Sequence, residues 1–221
     1  MPLLPLIFIC MSCSQGVPAI HSTAVQLIRV QAPDKSFAER LSVFVFFDDS
    51  DGTSDFGSIN ITHTETGLYW NILPSNASVR LRGKDRWTGS ASLAGPGGIA
   101  LPAGPYHITV SDLAGNETGS DFILVRPDFP ARAPVSFSIN GDSWTLARSD
   151  TPSGFTRTFF LLFDKDSRLL YSWLAMNTNR MKMEGTLSSL RALANQTDYV
   201  QCYTENESGT AGVLLTPVHL R

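Results

Sequence analysis

The chain has 221 residues, 43% of them hydrophobic, which is enough for two cores of about 100 residues each. Its net charge of −3 comes with no basic stripe and no charged tail, which excludes the electrostatic footprint of a nucleic-acid binder. Two of the three cysteines fall at positions 10 and 13; if Cys13 is acylated in a leader, Cys202 is the one thiol left for a folded body and an intradomain disulfide is excluded.

The chain opens with an apolar run, residues 2–9, followed by Cys10-Met11-Ser12-Cys13. The run is too short for a bilayer core of about 30 Å and has the length of a signal-peptide apolar region. A small residue followed by Cys, as in Ser12-Cys13, resembles the end of a bacterial lipoprotein signal. The resemblance implies a signal over 1–13, acylation of Cys13 and a tether over 14–23. The alternative is an ordinary secretory signal cleaved nearby.

Beyond the leader the reading is strands and turns. Residues 24–30 alternate apolar and polar, and 41–47 form an apolar run ending in the turn cluster Asp48-Asp49-Ser50-Asp51-Gly52. Further strands are expected at 67–73 and 78–81. Residues 91–103, rich in Gly and Pro, read as a long loop. Residues 106–110 and 121–125 make a hairpin around 113–119. Three prolines within 126–134 predict an extended, semi-rigid linker open to proteases. The second half begins again with strands at 135–139, 143–147, 159–163, 169–173 and 180–184. One helical turn is expected in 187–193, and a last strand over 213–220. No apolar stripe of period 3.6 runs beyond two turns, so the fold class is all-β.

One motif occurs twice. It reads Leu101-Pro-Ala-Gly-Pro-Tyr106 with Asn116-Glu-Thr-Gly119, and again Leu193-Ala-Asn-Gln-Thr-Asp-Tyr199 with Asn206-Glu-Ser-Gly209. Each copy is a Leu, a turn, a Tyr, an alternating strand and a polar hairpin tip. With Leu190, Thr197 and Thr216-Pro217-Val218, residues 187–221 resemble the end of a fibronectin type III domain, and 101–125 resemble the same region of an immunoglobulin-like domain. The resemblance implies two such β-sandwiches in tandem, over 24–125 and 135–221, divided at 126–134. It implies that Tyr106 and Tyr199 are corner tyrosines, each returning its hydroxyl to nearby backbone. Trp144 is a candidate core residue of the second sandwich.

Catalytic chemistry is sparse. The four histidines, His21, His63, His107 and His219, have no paired spacing and are read as surface residues. Cys202, inside a strand with no His nearby in sequence, is read as a buried, inert thiol. Asp49, Asp51 and Asp55 offer carboxylates around a Gly bend and are the candidate calcium ligands; a solvated hairpin tip is the competing reading. No other cofactor is expected. Five Asn-x-Ser/Thr sequons, at Asn60, Asn76, Asn116, Asn195 and Asn206, would be glycan acceptors in a eukaryotic secreted chain.

Tyr69, Trp70 and Trp87 flank Arg80, Arg82, Lys84 and Arg86, which makes a candidate binding face for a protein or an anionic glycan. Alternatively, Trp70 and Trp87 fill the first core while the basic residues alternate outward. The sequence therefore reads as a non-enzymatic, lipid-anchored module of a bacterial cell envelope, periplasmic or surface-facing, that binds another envelope or host protein. A sugar-binding or enzyme-accessory sandwich is the alternative function, and secretion the alternative location.

Overall fold

A computed structural model describes residues 16–50, 52, 55–98, 100–149, 154–177 and 180–220. The expected leader with Cys13 and the candidate ligand Asp51 lie outside the described residues. Among the described residues are sixteen strands, one short α-helix and a single 3-10 turn at Pro96–Gly98. The first half holds β1 (Ala19–Gln31), β2 (Phe37–Asp48), β3 (Phe56–His63), β4 (Tyr69–Ile72), β5 (Ser78–Arg82), β6 (Asp85–Ala94), β7 (Gly104–Asp112) and β8 (Glu117–Leu124). The second holds β9 (Val135–Asn140), β10 (Ser143–Arg148), β11 (Phe155–Phe163), β12 (Leu169–Met176), β13 (Lys182–Thr186), α1 (Leu187–Leu193), β14 (Tyr199–Asn206), β15 (Ala211–Leu214) and β16 (Val218–His219).

In the first half, β1-β2-β6-β5 faces a separate four-stranded sheet, β4-β3-β7-β8. Lettered in chain order, these are strands A-B-E-D against C′-C-F-G, the strand order of an immunoglobulin-like sandwich. The pleat sends alternate residues inward. Leu41, Val43 and Val45 of β2, Ile59 and Ile61 of β3, and Tyr106, Ile108 and Val110 of β7 meet in one core. Full burial of each such side chain contributes about 1.5–3 kcal/mol.

The second half repeats the scheme with β13-β10-β9 as the small sheet. Its core gathers Trp144, Leu146, Phe160, Leu162, Val200, Cys202 and Val213. The Trp144 ring packs closely against Gly185, where an added Cβ would come within 2.5 Å of it. The indole N–H donates to the Thr186 carbonyl at 3.0 Å. Helix α1 starts at Thr186, whose hydroxyl accepts from the Ser189 N–H, and it buries Leu187 and Leu190.

The two halves share a sheet. β1 pairs in parallel with β15, Leu27 beside Ala211 and Val30 beside Leu214. The result is one nine-stranded sheet, with main path β12-β11-β14-β15-β1-β2-β6-β5. Leu27 points into the first core and its neighbour Ala211 into the second. Both small sheets therefore pack on the same face of the large one, and among the described residues no sheet covers the other face. The segment 126–134 is also tied down. Phe129 packs against both cores. Arg126 pairs with the buried Glu39. This geometry sets a shared sheet against the expectation of two bodies joined by an exposed linker.

Other differences have local causes. β6 occupies 85–94, part of which reads as loop because its residues are small. Gly89 is needed there, since a Cβ would come within 2.0 Å of the Val43 carbonyl on the neighbouring β2. β3 lies where no strand was expected, and the last expected strand is divided into β15 and β16. Tyr106 is fully buried, and its hydroxyl donates to the Pro102 carbonyl at 2.8 Å. Tyr199 is not a corner residue. Val200 and Cys202 point into the second core, so the pleat turns Tyr199 to the opposite face, where it stacks on Phe163. His63 corrects the reading of all histidines as surface residues. It follows Ile59 and Ile61 on the inward side of β3 and is 1% exposed. Its ring nitrogens meet the Thr66 hydroxyl and the Ala103 carbonyl.

Candidate functional site

The uncovered face of the large sheet is built by the residues that alternate with the core. They are Ala24, Gln26, Ile28 and Val30 on β1, Arg40, Phe44 and Phe46 on β2, Leu214 on β15, Tyr203 and Glu205 on β14, and Arg157, Phe159 and Leu161 on β11. A groove of about 1090 Å³ runs along it, across the β1–β15 seam.

At the first-sandwich end of the groove stand two of the predicted basic residues. Arg80 of β5 lies 3.8 Å above the Phe44 ring centroid, and Arg82 lies 4.8 Å above that of Trp87. Phe44 is 2% exposed and Trp87 is 8% exposed. The guanidiniums thus cap the rings, a cation–π arrangement. Burial holds the Arg80 guanidinium below its ordinary pKa, and the neighbouring charge of Arg82 adds to this. The buried indole N–H of Trp87 has no hydrogen-bond partner among the described residues.

Across the seam, Arg157 and Glu205 form an ion pair at 2.5 Å. Glu205 also accepts from Gln26 at 3.3 Å and from the Tyr203 hydroxyl at 3.2 Å. Beside them lies an aliphatic strip that includes Ile28, Leu161, Leu169 and Leu214.

The remaining predicted residues go elsewhere. Lys84 and Arg86 are exposed at and beside the β5–β6 turn, outside the groove. Tyr69 is exposed on β4, its hydroxyl donating to Asn60. Trp70 is half-buried, packs on the first core and donates to the Ala94 carbonyl. Trp87 is buried but on the side of the sheet away from that core. The expected cluster is therefore divided, and Arg40, Arg157 and Tyr203 join the groove from strands distant in sequence.

The acidic turn changes membership. Asp49 and Asp55 are joined by Asp112 from the end of β7, with one carboxylate oxygen of each within 4.8 Å of the others. Asp112 accepts from the Asn116 backbone and side-chain amides, each at 2.7 Å. Burial pushes its carboxyl up. Those hydrogen bonds, with the N–H groups of Gly115 and Ala114, outweigh burial and hold it below the ordinary carboxylate range. Three histidines sit in surface pairs, His21 with Asp48, His107 with Asp121 and His219 with Asp198. Cys202 is 1% exposed and free.

Fold and face together define an all-β sandwich protein with one continuous sheet whose outer surface is open. No family model matches the chain, and no curated protein matches it in sequence. Among solved structures it is similar to dimeric latent PorU from Porphyromonas gingivalis, at 16% identity over 90% of this chain and 20% of that one, TM-score 0.31. It is also similar to murine CEACAM1b, at 12% identity over 90% of this chain and 99% of that one, TM-score 0.27. The chain thus spans about a fifth of the PorU chain. The strand order A-B-E-D against C′-C-F-G defines the fold.

Proposed function

We propose that this protein is a non-enzymatic binding or scaffold module that holds another protein on the uncovered face of its large sheet. In this proposal the second half is fibronectin type III-like and the protein is presented at a bacterial cell envelope through a lipid on Cys13. The observation that supports it is the groove across the seam, where arginines and an aliphatic strip lie side by side. Sheet faces left open to water normally alternate to polar residues, and an apolar strip left there marks a contact surface. Protein is favoured over sugar because the ring faces of Phe44 and Trp87 are capped by arginines, and Trp70 is packed on the core.

The test is photo-crosslinking in intact native cells from a benzoylphenylalanine placed at Leu161. One discrete protein adduct is expected, absent when the probe sits at Lys84. No adduct from position 161 would overturn the reading. For the anchor, Cys13→Ser is expected to release the protein from the membrane fraction; an unchanged distribution would overturn lipidation.

A further inference from the structure

The groove carries an imbalance of charge that identifies the chemistry of its occupant. Four arginines line it, Arg40, Arg80, Arg82 and Arg157, against a single carboxylate, Glu205. That carboxylate is taken: Arg157 pairs with it, and Gln26 and Tyr203 hydrogen-bond to it. Arg40, Arg80 and Arg82 have no ion-pair partner among the described residues, in a chain whose net charge is −3. Two of these cations are held in place by aromatic rings beneath them, so the order needed to bind an anion is already present. Planar guanidiniums match carboxylates two hydrogen bonds at a time.

The charge is also placed at one end. Arg40, Arg80 and Arg82 come from β2 and β5 of the first sandwich, whereas Leu161, Leu169 and Leu214 come from β11, β12 and β15 of the second. An occupant that satisfies both ends has an acidic stretch followed or preceded by an aliphatic one. An anionic sugar would satisfy only the first. We propose that the uncovered face binds an extended segment of a partner protein in which a run of acidic residues adjoins a run of aliphatic residues. The acidic run lies over Arg40, Arg80 and Arg82 and the aliphatic run over Leu161 and Leu169. This rests on the binding reading above and names the partner's chemistry.

The probe is a fluorescein-labelled peptide with a block of Glu followed by a block of Leu, titrated into the full protein by anisotropy. A peptide with Lys in place of Glu and a heparin-derived oligosaccharide serve as comparisons. The Glu–Leu peptide is expected to bind, more weakly as salt is raised, and the Lys–Leu peptide not to bind. Arg80→Gln should weaken binding about tenfold, the usual worth of a charged hydrogen bond. Because Arg80 also packs on Phe44, Arg40→Glu is the parallel variant; Arg40 is exposed and caps no ring, so its loss of binding separates recognition from folding. Failure of the Glu–Leu peptide to bind the parent, or binding by both variants as tight as by the parent, would overturn the proposal. Binding of the oligosaccharide in place of the peptide would overturn it in favour of an anionic sugar. A cellular adduct from position 161 that survives Arg40→Glu would overturn it while leaving the binding reading intact, whereas absence of any adduct would remove both.

Discussion

Glu39 and Arg126 form an ion pair at the junction of the two sandwiches, and the Glu39 side chain is only 6% exposed. The carboxylate also accepts the Leu101 N–H at 3.0 Å and lies 3.7 Å from Arg29. Arg126 in turn donates to the Leu101 carbonyl at 2.7 Å. The pair thus staples the start of the interdomain segment to β2 and to the turn that precedes the Tyr106 corner.

Glu39→Ala should destabilise the protein. Removing one partner of a buried pair costs about 3–5 kcal/mol, and partial exposure of Arg126 brings the expectation down to about 2 kcal/mol. Glu39→Gln should cost less, because an amide oxygen still accepts from Leu101. Urea unfolding of the three proteins measures this. A parent-like Glu39→Ala midpoint would show that the staple carries no stability.

The shared sheet predicts one unfolding event. Separating the halves would strip β1 from β15 and expose Phe129, which packs on both cores. Calorimetry should give a single transition, and limited proteolysis should leave 126–134 intact until the whole chain unfolds. Two resolved transitions, or two stable fragments cut in that segment, would show independent halves.

The two repeated tyrosines should respond differently. Tyr106→Phe leaves the Pro102 carbonyl without its donor and should cost about 1–3 kcal/mol. Tyr199 bonds nothing through its hydroxyl among the described residues, so Tyr199→Phe should stay within about 0.5 kcal/mol of the parent. Equal effects at both positions would contradict the opposite orientations.

Stability should fall in alkali. Burial raises the Cys202 thiol well above its ordinary 9.0, raises Tyr106 from 10.0 to about 12, and raises Tyr203 further still. The unfolded chain loses these protons first. Above pH 9.0 the native state therefore binds more protons than the unfolded state, and stability drops as pH rises. Urea midpoints between neutral pH and pH 11 should decline from about pH 9. In the native state Cys202 should resist a disulfide reagent at pH 8 and react once urea is added. Rapid native labelling would contradict its burial.

How much of this was legible follows from the range of each signal. Tyr106 was readable because Leu101, the turn and the strand are contiguous. Tyr199 misled because the same local spacing precedes it, while its orientation is set one residue later by Val200 and Cys202. Helix α1 falls on the turn expected in 187–193, and the structure shows that it buries Leu187 and Leu190. β6 was not readable, because Gly89, Ser90, Ala91 and Ser92 look like loop until β2 lies against them. Asp112 joined Asp49 and Asp55 without warning, since nothing near it in sequence points to the acidic turn. Of the basic cluster, Arg80 and Arg82 face the groove, but Arg40, Arg157 and Tyr203 come from other strands. The seam had no sequence signature at all, because it joins the first strand to one of the last.

That seam also fixes how the protein answers to tension. Let force act on the backbone at Gly16 and at Leu220. β16, held to β14 at Tyr199–His219 and Val200–Val218, peels away first. The load then passes to β15, drawn toward its C-terminal end, while β1 is drawn toward its N-terminal end. Because the two strands are parallel, these pulls slide one along the other, and the paired positions from Leu27–Ala211 to Val30–Leu214 resist together where an antiparallel hairpin would open one rung at a time. A pull between these two points is thus borne by the very contact that keeps the groove in one piece.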